Sequence, residues 1–220
     1  MKTSKQMIAV QIEALAQHEF FTRLMPSPDL KKMMSFAPAA TFWVMSFQDI
    51  LHFNADRTTD PAIKKIVAGH LVEDAGHEEW FLKDLADVFG SASSAKDTFS
   101  VEYRAVRQVT FALASELYFV SDDRLRLVYL EVLEAAAGLT FQRISAALVA
   151  GGHKGKLRYF GGEHLTAEAS HEMHKDGDHG HEPAMDAFEL PPELRAESTQ
   201  MIERMFVQFA KLYDAVAAHQ

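Results

Sequence analysis

The segment DRLRLVYLEVLEAAAGLTFQRISAALVA, residues 123–150, constrains the fold more than any other part of this chain. Leu127, Leu130, Ala137, Phe141, Ile144 and Leu148 recur at helical spacing on one face, Ser121 or Asp122 can cap the start, and Gly151 and Gly152 end it. A helix with such a stripe must bury it against other elements, and the rest of the chain offers helices only. Residues 4–25 carry Ile8, Ile12 and Leu15 at the same spacing and stop before Pro26. SPDLKKMM predicts a short helical turn capped by Ser27, and residues 37–53 predict a second long helix. A third begins at the Asp60 cap, with Pro61 in its first position, and runs past Leu85 and Val88 to Gly90. GSASSAKD is a polar connector, and residues 101–120 predict a fourth helix before the long one. A sixth runs from about Arg158 through HLTAEASH, then KDGDHGHEPAMDAFELPP reads as a loop, and PELRAESTQMIERMFVQFAKLYDAVAAH gives the last. No strand pattern occurs, so the expectation is all-α: one domain, a bundle of about seven helices.

Charge and composition narrow the function. A formal net charge of -9 and a pI near 5.6 argue against nucleic acid or an anionic membrane surface, both of which favour clustered Lys and Arg. A small molecule is the expected partner. The chain has no cysteine, so a Cys nucleophile is excluded and any metal must take His and carboxylate ligands. Gln, Glu and His interrupt the N-terminal segment before a secretory apolar run develops, and no stretch reads as a bilayer span, which predicts a cytoplasmic protein without a membrane partner.

Ionisable side chains inside apolar stripes are the informative signal, because burying a charge without a partner is expensive. On the third helix, His70, Asp74 and His77 fall within the face of Ile63, Val67, Phe81 and Leu85, with Glu73 at its edge. On the long helix, Glu134 sits between Leu130 and Ala137. On the sixth, His164, Glu168 and His171 follow i, i+4, i+7 spacing beside Leu157 and Phe160. A single inward His or Glu is more often a satisfied core residue than a ligand. Three carboxylates and three imidazoles converging from three helices need a mutual partner, and two cations that accept mixed N and O ligands supply it; a polar pocket without metal is the alternative. His174, His179 and His181 fall beyond the stripe and read as a solvated His-rich loop. Phe20, Phe21, Phe42, Trp43, Phe47 and Trp80 are candidates for the walls of an apolar cavity or for plain core packing.

EDAGH, YLEVLEAAAG and HLTAEASH, together with HEFFTRL at residues 18–24, resemble the heme-oxygenase-like diiron oxidases and oxygenases, relatives of the TenA-like and PqqC-like proteins. The resemblance spans most of the chain and implies a heme-oxygenase-like fold. It implies two irons held by Asp74, His77, Glu134, His164, Glu168 and His171, with manganese or a mixed pair also accepted by such ligands. The chain presents Asp74 where the family commonly presents Glu, and Glu73 and His70 are near enough to take that role. The activity implied is O2 activation and oxidation of a small organic molecule, with an external reductant. A metal-independent TenA-like or PqqC-like enzyme or ligand-binding protein on the same fold is the alternative. A ferritin-like metal-handling protein is a further one, with Glu19 as its first carboxylate. It would leave His164 without a role. Substrate, reductant and oligomeric state, a homodimer included, are open in the sequence.

Overall fold

The computed structural model describes residues 3–165 and 190–220. Among these are ten α-helices with both ends described, two 3-10 turns and a further helical stretch at residues 162–165, with no strand. In chain order the helices are α1 Ser4–Leu15, α2 Glu19–Arg23, α3 Leu30–Met33, α4 Thr41–Arg57, α5 Pro61–Glu73, α6 His77–Phe89, α7 Ala95–Thr98, α8 Arg104–Ser115, α9 Asp123–Ala150 and α10 Pro192–Ala217. The 3-10 turns Ala37–Ala40 and Glu116–Tyr118 lead into α4 and extend α8.

The all-α reading therefore holds, and the six expected helices other than the sixth become ten, because two of them break, the turn at SPDLKKMM forms α3 and the connector ends in a helical turn. The N-terminal helix stops at Leu15, and His18 restarts the chain as α2 by accepting the Phe20 N–H on its Nδ1 at 3.1 Å. The expected third helix divides into α5 and α6. Gly76 takes φ +92°, a left-handed conformation open to glycine and costly for other L-residues, so the α5 hydrogen-bond ladder ends at the Asp74 cap and a new helix begins at His77. The connector GSASSAKD folds as α7, because Ser94 and Asp97 form a reciprocal capping box. Asp29, not Ser27, caps α3. Residues 158–161 are not helical, and the helix expected from Arg158 begins at residue 162.

α9 is the spine. Asp122 caps it by accepting the Arg124 N–H, and it buries Leu125, Tyr129, Leu133, Ile144 and Leu148 in one contiguous core. α10 packs against α1, α8 and α9, and α5 packs between α4 and α9. By length and composition alone α9 could cross a membrane, contrary to the sequence reading that no segment could, but half of its apolar window is covered by the bundle. The consequence for the site is that α5, α6 and α9 bring their inward polar residues to one side of the core.

The Gly76 break is testable. A Cβ there would meet no atom within 4 Å, so the cost of Gly76→Ala is purely conformational. We expect a loss of about 1 kcal/mol in denaturant unfolding; an unchanged stability would mean the α5–α6 junction does not depend on the left-handed glycine.

Candidate functional site

The break between α5 and α6 sets the first wall. Asp74, the α5 cap, accepts from the His77 Nδ1–H at 3.0 Å with one carboxylate oxygen and from the Gln48 amide of α4 at 2.6 Å with the other. His77 is buried, and its Nδ1 bond leaves Nε2 as the ring's remaining nitrogen. On α9, Glu134 lies 3.0 Å from His70 Nε2. His70 is 6% exposed and sits behind the carboxylate rather than on the cavity surface.

The second wall is the irregular segment that follows α9, and one carboxylate holds it. Asp84 of α6, 2% exposed, accepts three consecutive backbone N–H groups, from Arg158 at 2.9 Å, Tyr159 at 2.9 Å and Phe160 at 3.1 Å. Burial raises its carboxyl above the usual carboxylate range and the three N–H groups act in the opposite direction. The turn is tight: a Cβ on Gly161 would lie 2.0 Å from the Leu157 carbonyl oxygen. With the turn fixed, the Tyr159 carbonyl accepts the His164 Nδ1–H at 2.9 Å, which leaves His164 Nε2 without the proton when the ring is neutral. The ring packs at 4.3 Å from His77 and 3.9 Å from Phe141, centroid to centroid.

These walls enclose a cavity of about 100 Å³. Gln48, Asp74, His77, Glu78, Glu134 and His164, with Thr140 and Tyr213, supply its polar lining, and Phe20, Trp43, Phe47, Phe141 and Phe209 much of the apolar remainder. Of the six aromatic candidates, Phe20, Trp43 and Phe47 line it; Phe21, Phe42 and Trp80 do not. Trp80 instead packs on His77 and His164 from behind, with the Arg158 guanidinium 3.7 Å over its ring.

The two outer imidazoles are driven in opposite directions. For His70, burial disfavours the cation, but the Glu134 carboxylate, helped by Asp74 and Glu73, prevails and raises its pKa from 6.5 to about 9. For His164, burial and the neighbouring His77 push it down to about 4, against the pull of the Tyr159 carbonyl, Asp74 and Glu134. At neutral pH His70 is a cation and His164 a neutral base.

Of the residues singled out in the sequence, Asp74, His77, Glu134 and His164 come to one cavity and His70 adjoins it. Glu73 acts on His70 through its charge but does not line the cavity. Glu168 and His171, and His174, His179 and His181, lie outside the described residues. Among the described residues no three His, Asp or Glu side chains converge closely enough to hold a metal ion. Glu19 pairs with Arg23 with its side chain 62% exposed and does not line the cavity, which removes the first carboxylate of the ferritin-like alternative. Sequence reading missed Asp84 and Gln48. Asp84 could have been noticed as an acidic residue three positions after Phe81 and adjoining Leu85 on the apolar face.

Two outcomes follow. Asp84→Asn keeps the shape but turns an NH2 toward backbone N–H donors, and we expect a loss of about 2 kcal/mol in chemical denaturation; a neutral effect would mean the turn is held by other contacts. The paired histidines also predict a stability optimum in the metal-free protein. His70, raised, contributes stability fully below pH 6.5 that is lost as pH rises through about 9. His164, lowered, contributes above pH 6.5 and is lost as pH falls through about 4. Urea unfolding across pH 4–9 should peak near 6.5 and fall on each side by on the order of 2 kcal/mol. His70→Gln should flatten the alkaline limb and His164→Gln the acid limb; limbs unchanged in these variants would assign the profile to other groups.

Compared with protein-family models and with curated protein sequences, the chain matches none.

Proposed function

We propose that this chain is a non-heme diiron oxidase or oxygenase of heme-oxygenase-like architecture, acting in the cytoplasm on a small organic molecule with O2 and an external reductant. The observation that carries this reading is the meeting of Asp74 and His77, Glu134, and His164, from three separate parts of the chain, in the wall of one largely aromatic cavity. The donor set suits iron, and equally manganese or a mixed pair: imidazoles whose Nδ1 is tied elsewhere, and carboxylates at the cavity surface. His77, Glu134 and His164 would hold the ions together with Asp74, Glu168 and His171, the last two lying outside the described residues. When bound, two irons supply the electrons and the Lewis acidity that O2 activation requires.

The chain's own residues do the rest. Burial keeps His164 neutral, as a ligand must be, and the Tyr159 carbonyl fixes its orientation. Asp74 orients His77 and is itself held by Gln48. His70 sets a positive charge 3.0 Å from the Glu134 carboxylate, behind the cavity wall. The aromatic walls offer the apolar part of the reacting molecule a contact surface.

A second reading is favoured by a specific observation. His70 with Glu134, His77 with Asp74, and His164 with the Tyr159 carbonyl are already paired, and no three donors converge among the described residues. On that reading the protein is a metal-independent enzyme or ligand-binding protein on the same fold. Metal analysis after anaerobic iron(II) loading separates the two. The diiron reading expects about two irons per chain, lost in Glu134→Ala and His164→Ala, reduced in Asp74→Ala and retained in Glu73→Ala. A wild type that takes up no iron would leave the metal-independent reading.

A further inference from the structure

The cavity carries a second polar feature, from which the chemical class of its occupant follows. Thr140 of α9 and Tyr213 of α10 both line it, their hydroxyls 2.6 Å apart. The Thr140 hydroxyl donates to the Ala136 carbonyl at 2.7 Å, within its own helix. With that proton committed, the Tyr213 O–H donates to Thr140 Oγ1. In the reverse arrangement Thr140 donates to Tyr213 and Tyr213 to the Ala136 carbonyl at 3.4 Å, and among the described residues the phenol has no further acceptor. Both hydroxyl protons are thus consumed inside the protein, and what remains is oxygen lone pairs. Burial raises the Tyr213 phenol well above its ordinary range, so it does not ionise to change this count. Its ring is held rigidly, stacked on Phe20 at 5.4 Å with an interplanar angle of 6° and met edge-on by Phe21 at 4.9 Å. The pair therefore presents a fixed acceptor in an aromatic chamber.

We propose that the cavity binds a neutral molecule of about one ring in size that carries a hydrogen-bond donor, a hydroxyl or an N–H, aimed at the Tyr213–Thr140 oxygens. Its apolar body lies among Trp43, Phe47, Phe141 and Phe209. The volume of about 100 Å³ is of the order of engineered apolar cavities that take benzene, about 150 Å³. An occupant with only an acceptor at that position, a ketone or a carboxylate, would set lone pair against lone pair and leave its own oxygen unpaired, which a buried site rejects. As a statement of substrate class this rests on the oxidase reading; as a statement of binding it does not, because no metal ligand takes part in it.

The test uses a matched pair of probes, cyclohexanol and cyclohexanone, titrated calorimetrically into the full-length metal-free protein and again after iron(II) loading. The alcohol is expected to bind about tenfold more tightly than the ketone, the size of one satisfied hydrogen bond. Two variants then narrow the preference. Tyr213→Phe removes one of the two acceptor oxygens and leaves Thr140 Oγ1, so the tenfold preference for the alcohol should shrink without changing sign. Thr140→Val removes the other oxygen and leaves the Tyr213 proton to the Ala136 carbonyl, so the preference should again shrink without inverting, and the double variant Tyr213→Phe/Thr140→Val should bind the two probes within about twofold of each other. Circular dichroism and thermal melting establish that each variant is folded, and the two act on different side chains, so one failing to fold leaves the other decisive. Equal binding of the two probes by wild type, or a preference unchanged in the folded variants, overturns the proposal. Failure to load iron with the alcohol preference intact counts against the oxidase reading alone.

Discussion

A buried imidazole that holds its proton has to be matched by a negative charge, and the His70–Glu134 pair is how this fold matches it. Glu134 stands midway along α9 with its side chain 40% exposed, so the charge that burial penalises is the one on His70. His70 reaches the carboxylate from α5 at 3.0 Å, and that carboxylate is what lets the imidazole keep its proton near neutral pH. The same pair joins α5 to α9 beside the apolar contacts of Ile63 and Val67, and it places the Glu134 carboxylate on the cavity wall.

The remaining polar groups are arranged around the same pair with a division of labour. One imidazole is kept charged and behind the carboxylate; another, His164, is kept neutral and on the cavity surface. The separation comes from surroundings, since both rings are buried and only the nearest charges differ: Glu134 beside His70, His77 beside His164. Groups with such opposed proton affinities within one core are a common mark of functional sites, although structural ion pairs perturb proton affinity too.

What could be read from the sequence was what is local. The extent of α9, its Asp122 cap and its end at Gly151 are written in neighbouring residues, and so is the burial of His70; Glu134, expected to point into the core, lines the cavity with its side chain 40% exposed. What could not be read were partners distant in sequence. Gln48 meets Asp74 across 26 positions and Thr140 meets Tyr213 across 73, and neither pairing leaves a periodic trace. The α5–α6 break escaped for a different reason. Gly76 stands inside an otherwise unbroken helical pattern, where glycine is tolerated at modest cost, and its left-handed φ is decided by packing. Asp84 was hidden because its partners are backbone N–H groups, which every residue but proline possesses.

That last arrangement sets how the cavity wall opens in time. Three successive amides share a single side-chain acceptor, so the wall at Arg158, Tyr159 and Phe160 has no ladder to fray from one end. Withdrawal of one carboxylate releases all three protons together. Their exchange with solvent is therefore governed by one local opening event, with a free energy of its own that global unfolding does not report.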